Sequence, residues 1–514
     1  MIPQLNCYLK YLKVGLIMSV FDTSSAIAAN GFTLKVATRN ISRDASPFYL
    51  SSADFPLAEA VFAPLIIMTN QFELKPNVIT SWETESTNGK NSVLLELRPD
   101  VYFHNGRLAT AEDLEFSLVR GMLKDADPKI RPTLSFIEGA EEIKGETTFR
   151  KGMCRGIQIL DKLRIKVTLS TPNPSLIFHL TASPTSIVPR EEFSDGLRKW
   201  KKFPVGTGPY AVQEVLPNKY ILRRFDRYFS PKKDSPEQIE LINTSDLSSV
   251  DITTPLVNPS NPQLDSWQKV NSAKGMIYSI RHFVLHTEDH KGKALRKLIN
   301  AAVDKKSLAT HLDSDFIEAN QYLPPHYWPQ IEPSKGENFE ALKSEYESQH
   351  GKIPEIDVLL LRMFGEETPA KILARQVLLQ LQNKGLPAKG VDVDNPYSAR
   401  DDGKHYVLVA FGGFPFADPD ALSFYFDNST DILRAETQAI GKIRFLLKKG
   451  RTLTSRAERA AVYAEVLQTI NDEGIAHPLF HSTERVFVRK KAINPSSVYS
   501  ESYQFQYESF RKPN

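Results

Sequence analysis

Side-chain chemistry needs suitable residue types within reach of one another, and two patterns in this chain invite the search. Histidines stand at 282, 286 and 290, and again at 477 and 481, four positions apart each time. On a helix that spacing stacks imidazoles on one face, as in a metal site. Residues 279–285 read as a strand, however, where four positions span roughly 13 Å at about 3.3 Å each. Pro478 likewise makes 477–481 a poor helix interior. The histidines are therefore assigned core or surface roles, with no metal and no cofactor expected. The second pattern is Gly206-Thr-Gly208-Pro-Tyr-Ala211, a G-x-G-x-x-A match with Asp226 twenty positions after the first glycine. A dinucleotide site would need a buried strand before this turn and a helix after it. Residues 198–204 are too charged for the strand. Residues 210–216 are aromatic and β-branched, stop at Pro217-Asn218, and are followed by a second such run at 220–225. The unit reads as a hairpin, and its glycines as a tight structural turn. There is no HExxH, GxSxG, P-loop or CxxC, and no carboxylate pairing is legible. No enzyme is expected.

The chain that must position any site has 514 residues, enough for two or three domains. It opens with Lys10 and Lys13 before the apolar run 14–21, then Ala26-Ile-Ala28, the layout of a signal peptide cleaved near Ala28 or Ala29. The apolar run is far short of the roughly 20 residues of a membrane span. The net charge is only +3, and removal of Lys10, Lys13 and Asp22 brings it closer to balance, which argues against a nucleic-acid binder. Of the two cysteines, Cys7 precedes the apolar run, where a lipid anchor would not attach. Cys154 is left without an internal disulfide partner.

Strands are expected at 32–37, 92–98, 163–169, 277–285, 356–361 and 406–411, besides the hairpin. Helices are expected at 59–67, 111–123, 293–309, 368–384 and 455–472. Thr110-Ala-Glu-Asp113 supplies a capping box for the second of these. Residues 231–272, dense in Pro, Ser, Asn and Asp, read as loop-rich. Strands and helices mixed in two large blocks suggest two α/β lobes.

The stretch 97–118, LRPDVYFHNGRLATAEDLEFSL, closely resembles the signature of the family 5 extracellular solute-binding proteins. The segment 205–215, VGTGPYAVQEV, resembles that family's GTGPY turn into a hairpin. Segments 156–174, 294–304, 411–419 and 462–471 are similar to further family blocks, in family order.

The resemblance implies an α/β, two-lobed periplasmic-binding-protein (type II, flytrap) fold with an extra subdomain inserted in the first lobe. The implied layout is a signal peptide at 1–29 and a first-lobe core from 30–70, 190–278 and 481–514. The inserted subdomain would span 71–189 and the second lobe 279–480, with hinge crossings near 278 and 480. It implies a periplasmic receptor, expected to be a monomer, that captures a peptide or peptide-like solute for an ABC permease in the inner membrane. A nickel chelate, haem, opine or sugar ligand, or an exported sensor role, remains the alternative. By resemblance the ligand wall includes Phe411, Gly412, Gly413, Phe414, Pro415, Phe416 and Asp418, faced by Phe48 and Tyr49. Peptide binders of the family often carry an Asp just before the "DP" of this loop to hold the peptide ammonium. Here Phe414 or Pro415 occupies that place, and Asp418 belongs to the DP itself. The stretch 249–252, SVDI, is the part of the short 231–272 segment that is similar to the family's GEIDI.

Overall fold

A computed structural model of the chain describes residues 32–38, 55–87, 90–124, 134–254, 265–284, 290–333, 336–362, 368–394, 404–414, 416–426, 438–502 and 504–513. The leader, Phe48, Tyr49, His286 and Pro415 lie outside the described residues. Among the described residues, no helix is long and apolar enough to cross a membrane.

One 11-stranded sheet runs through the molecule. Its order is Ala388–Val393, Ile356–Leu361, His405–Gly413, Trp267–Val284, Ala476–Arg489, Ile252–Thr253, Thr33–Thr38, Gln238–Asn243, Lys219–Arg224 and Tyr210–Leu216, with Ile317–Glu318 paired to Ala476–Arg489 off this path. The two longest strands join the two halves. Residues 267–271 pair with 485–489, the register breaks between Asn271 and Gly275, and pairing resumes from Gly275 opposite Thr483. Before the break, Val486 and Val488 pack with Leu34 and Val36 in a core that also holds the 55–252 elements and the C-terminal Tyr507 and Phe510. Beyond it, Ile277 and Ala476 belong to one second-lobe core and Ile280 and Leu479 to another. The break is where the paired strands pass from the first of these cores to the other two. Gly275 is required there, because an added Cβ would stand 2.7 Å from Pro324 Cγ.

A separate four-stranded sheet, ordered Ile79–Thr87, Lys90–Leu97, Arg164–Leu169 and Ile157–Ile159, is antiparallel throughout. The helix Ala111–Arg120 packs beside it with nine of its residues buried. The Asp113 carboxylate accepts the Thr110 backbone N–H at 2.9 Å, closing the N-terminus as the capping box requires.

The helix expected at 59–67 is instead Phe55–Val61 followed by the strand Ile66–Met68. Pro64 explains the break, since it lacks an N–H and biases Ala63 away from helix. The helix expected at 293–309 divides into His290–Ala301 and Lys305–Ala309, the second capped by Asp304, which accepts the Lys306 N–H at 3.0 Å. The segment 231–272 is less irregular than its composition suggests. It contains Gln238–Asn243, which pairs in parallel with Thr33–Thr38, and the beginning of the long strand Trp267–Val284. The helices Phe339–His350 and Gln438–Thr452 and the strand Ala476–Arg489 were not legible as elements. Pro478 concealed that strand. It lies at the register shift between Tyr278 and Ser279, a bulge, which is one place a sheet accepts proline.

Candidate functional site

The glycine turn folds against the end of the helix Phe55–Val61 and not against a ligand-binding helix. Gly208 N–H donates to Val61 O at 2.8 Å. His104 clasps the turn, its Nδ1 accepting from Gly206 N–H at 3.3 Å and its Nε2 lying 3.0 Å from Gly208 O. These two bonds fix the neutral tautomer with the proton on Nε2. The hairpin Tyr210–Leu216 and Lys219–Arg224 follows, as read from the sequence.

Three of the spaced histidines are strand residues. His282 lies on Trp267–Val284, and His477 and His481 on Ala476–Arg489, whereas His290 begins a helix. His282 contacts His405 (Nδ1 to Nε2, 3.1 Å) and Asn300 Oδ1 (2.8 Å). Burial pushes His282 down to about 3 and His481 to about 4. Among the described residues no group of three or more His, Cys, Asp or Glu is placed to hold a metal ion.

The second-lobe loop is packed more tightly than its resemblance implies. Phe411 stacks on Tyr278 with centroids 5.5 Å apart. Gly412 lies under Tyr425, whose hydroxyl donates to Gly413 O at 2.6 Å. Phe414 is fully buried among Tyr322, Tyr327 and Tyr425. Phe416 is also buried and meets the His179 ring at 4.4 Å. In this conformation Phe414 and Phe416 are engaged in packing and Asp418 in pairing.

The partner of Asp418 is Arg459. Its Nη1 and Nη2 reach Asp418 Oδ2 and Oδ1 at 2.9 and 2.7 Å. Ser175, from the first-lobe side, donates to Asp418 Oδ1 at 2.9 Å and accepts from Arg459 Nη2 at 2.7 Å. Beside it, Asp420 receives Arg451 Nε at 2.7 Å, Tyr463 Oη at 3.1 Å and His179 Nε2 at 3.1 Å. Burial opposes ionisation of Asp420, but Arg451 and His179 outweigh it and hold its carboxyl below the usual range. The helix Leu176–His179 thus bridges the lobes: Leu176 and Ile177 pack in the first core, and Phe178 packs against a second-lobe core.

A second polar cluster lies at the crossing strands. Lys274 Nζ is 3.3 Å from Glu484 Oε1, and Glu59 of the helix Phe55–Val61 lies within their electrostatic reach. Sequence reasoning missed all three. They are 215 and 210 positions apart in the chain order 59, 274 and 484, and no local pattern joins them.

The chain matches the family model of the bacterial extracellular solute-binding proteins, family 5, over residues 73–432. It belongs to that family. It is a solute-binding protein with the mixed α/β periplasmic-binding-protein fold, and not an enzyme. Among curated relatives, the peptide transport periplasmic protein SapA of Haemophilus influenzae is 22% identical over 409 residues, with 69% of this chain and 70% of that protein covered. The transcriptional regulator SgrR of Salmonella typhi is 31% identical over 133 residues, 26% of this chain and 19% of the regulator. The match therefore spans about a fifth of that regulator's length. Among solved structures, OppA of Haemophilus influenzae in complex with RPPGFSPFR aligns at TM-score 0.75 and 15% identity, covering 94% of this chain and 99% of that one. NikZ of Campylobacter jejuni in complex with Ni(L-His) aligns at 0.73 and 19%, covering 93% and 99%.

Proposed function

We propose that this chain is the periplasmic receptor of an ABC importer, exported by a cleaved leader at 1–29, which captures a peptide or peptide-like solute between its lobes and presents it to an inner-membrane permease. The observation that carries the reading is the two-lobed fold with lobes joined by paired crossing strands and bridged by Ser175 and His179. Such an architecture closes around a solute by hinge motion. The likeness to a peptide-transport protein and to a peptide-bound OppA supports the ligand class. Phe411, Gly412 and Gly413 at the end of their strand, together with Pro415, Phe48 and Tyr49, are proposed as ligand contacts. Gly412 and Gly413 would offer backbone groups to an extended ligand.

Native mass spectrometry of protein purified from the periplasmic fraction tests the reading. A carried-over peptide is the expected result. A stoichiometric metal chelate or sugar in its place would replace the peptide assignment, and a retained Met1 on a cytoplasmic product would replace the receptor assignment.

A further inference from the structure

The charge cluster at the crossing strands touches both lobes. Glu59 comes from a first-lobe helix, and Lys274 and Glu484 come from the two crossing strands. Lys274 also reaches the second-lobe strand end, where a Cβ on Gly413 would meet its Cε at 3.2 Å. Lys274 pairs with Glu484. Glu59 accepts a long bond from Phe505 N–H at 3.4 Å. Two carboxylates thus face one ammonium.

The surroundings are short of donors. The hydroxyls of Tyr499 and Tyr507 are buried without a hydrogen-bond partner among the described residues, and both lie within electrostatic reach of Glu59. Asn70 donates to Tyr499 O at 2.5 Å and leaves its own Oδ1 unpartnered. Tyr499 is 6% exposed and is held at φ 54°, a left-handed conformation unfavourable for tyrosine. Orphaned buried oxygens cost stability, so their concentration here points to a group that satisfies them.

We propose that this cluster is the subsite for a positively charged nitrogen of the solute, a primary ammonium or guanidinium, with Glu59 as its carboxylate partner and the Tyr499 hydroxyl as an acceptor. The inference rests on the receptor reading above and deepens it: with Asp418 engaged by Arg459, the ligand cation is held at the hinge. Burial, and then the charge of Glu484, push Glu59 up to about 8. It is protonated at neutral pH until a cation arrives, and its ionisation then releases a proton.

The test uses the full mature protein and a mixture of dipeptides to pentapeptides, untreated or with every amine and guanidinium blocked. Calorimetry is run at pH 7 in phosphate and in Tris. Unblocked peptides are expected to bind with release of up to one proton, at least tenfold more tightly than blocked ones. Glu59→Gln, which mimics the protonated carboxyl and so preserves folding, is expected to weaken them at least tenfold and to abolish the proton release. Equal binding of blocked peptides, or unchanged affinity and proton release in Glu59→Gln, overturns the subsite and leaves the peptide reading intact. Failure of all peptides, with spermidine bound by wild type and lost in Glu59→Gln, upholds the subsite and overturns the peptide reading. Failure of both probes overturns the subsite.

Discussion

Arg459 and Asp418 form a two-pronged ion pair, at 2.9 and 2.7 Å, with both side chains almost wholly removed from water. The aspartate also accepts the Asp420 N–H at 3.0 Å, which starts the turn Pro419–Leu422. One carboxylate therefore organises a turn, a buried guanidinium and a contact with Ser175 across the lobes.

Removing one partner of such a pair leaves a buried charge without compensation, at a cost of about 3–5 kcal/mol. Asp418→Asn and Arg459→Met are each expected to lower the urea-unfolding free energy by about that amount. The double variant should be less destabilised than the sum of the two. Additive losses would show that the two side chains do not act as a pair.

Ser175→Ala removes two charge-assisted bonds made across the lobes. Bonds to charged groups contribute about 1.5–3 kcal/mol each, and their loss falls on the closed form. Affinity for the recovered solute should fall roughly tenfold or more, because a ligand must then supply more of the closure energy. The radius of gyration by X-ray scattering should rise in the unliganded variant. Unchanged affinity and scattering would separate this contact from closure.

Local patterns were legible where one element determines its own form. The apolar strand at Ile356–Leu361, the capping box at Thr110 and the Pro-stopped hairpin after Pro209 all appear in the structure as read. The long strand ending at Arg489 was not, because Pro478 signals a break locally and is accommodated only by a bulge opposite Tyr278. The candidate site was least legible. Phe414 reads as a ligand ring or a core ring, and its packing between Tyr327 and Tyr425 carries no local sequence signal. Glu59 carries no sequence signal at all, since its neighbours Lys274 and Glu484 arrive through the topology.

The buried histidines predict loss of stability in acid. Burial pushes His104 and His481 down to about 4 and His282 to about 3, and His405 and His477 lie well below the ordinary value. Between those values and about 6.5 the unfolded chain binds more protons than the folded one. Stability is thus fully present above about pH 6.5 and is lost as pH falls through the folded values, by about 1.4 kcal/mol per pH unit for each histidine. Glu59 acts oppositely. Its raised value makes a contribution that is present below about 4.5 and lost as pH rises through about 8. Urea unfolding at pH 7, 6 and 5 should show a falling stability, and His282→Asn should reduce the slope by about one proton. A flat profile from pH 7 to 5 would mean that these rings titrate in the fold as they do in the unfolded chain.

The glycine turn gives a prediction that separates a scaffold from a phosphate cradle. An added Cβ on Gly206 would stand 2.1 Å from Val61 O and 2.5 Å from Phe62 Cδ1, and one on Gly208 would stand 2.5 Å from Ala60 O. The obstacles are mainly backbone, which cannot rotate away. Gly206→Ala must therefore shift the helix Phe55–Val61 or the turn, at a cost typical of overpacking, about 1–3 kcal/mol or more. That helix carries Glu59, so the displacement should weaken solute binding as well as stability. Gly441→Ala is the control. It lies in the helix Gln438–Thr452 with nothing within 4 Å of an added Cβ, and should gain about 0.5–1 kcal/mol. Thermal and urea unfolding of both variants provide the measurement. Equal stabilities for Gly206→Ala and wild type would mean that the turn is free of the helix, and the close approach at Val61 would then not be the reason for glycine at this position.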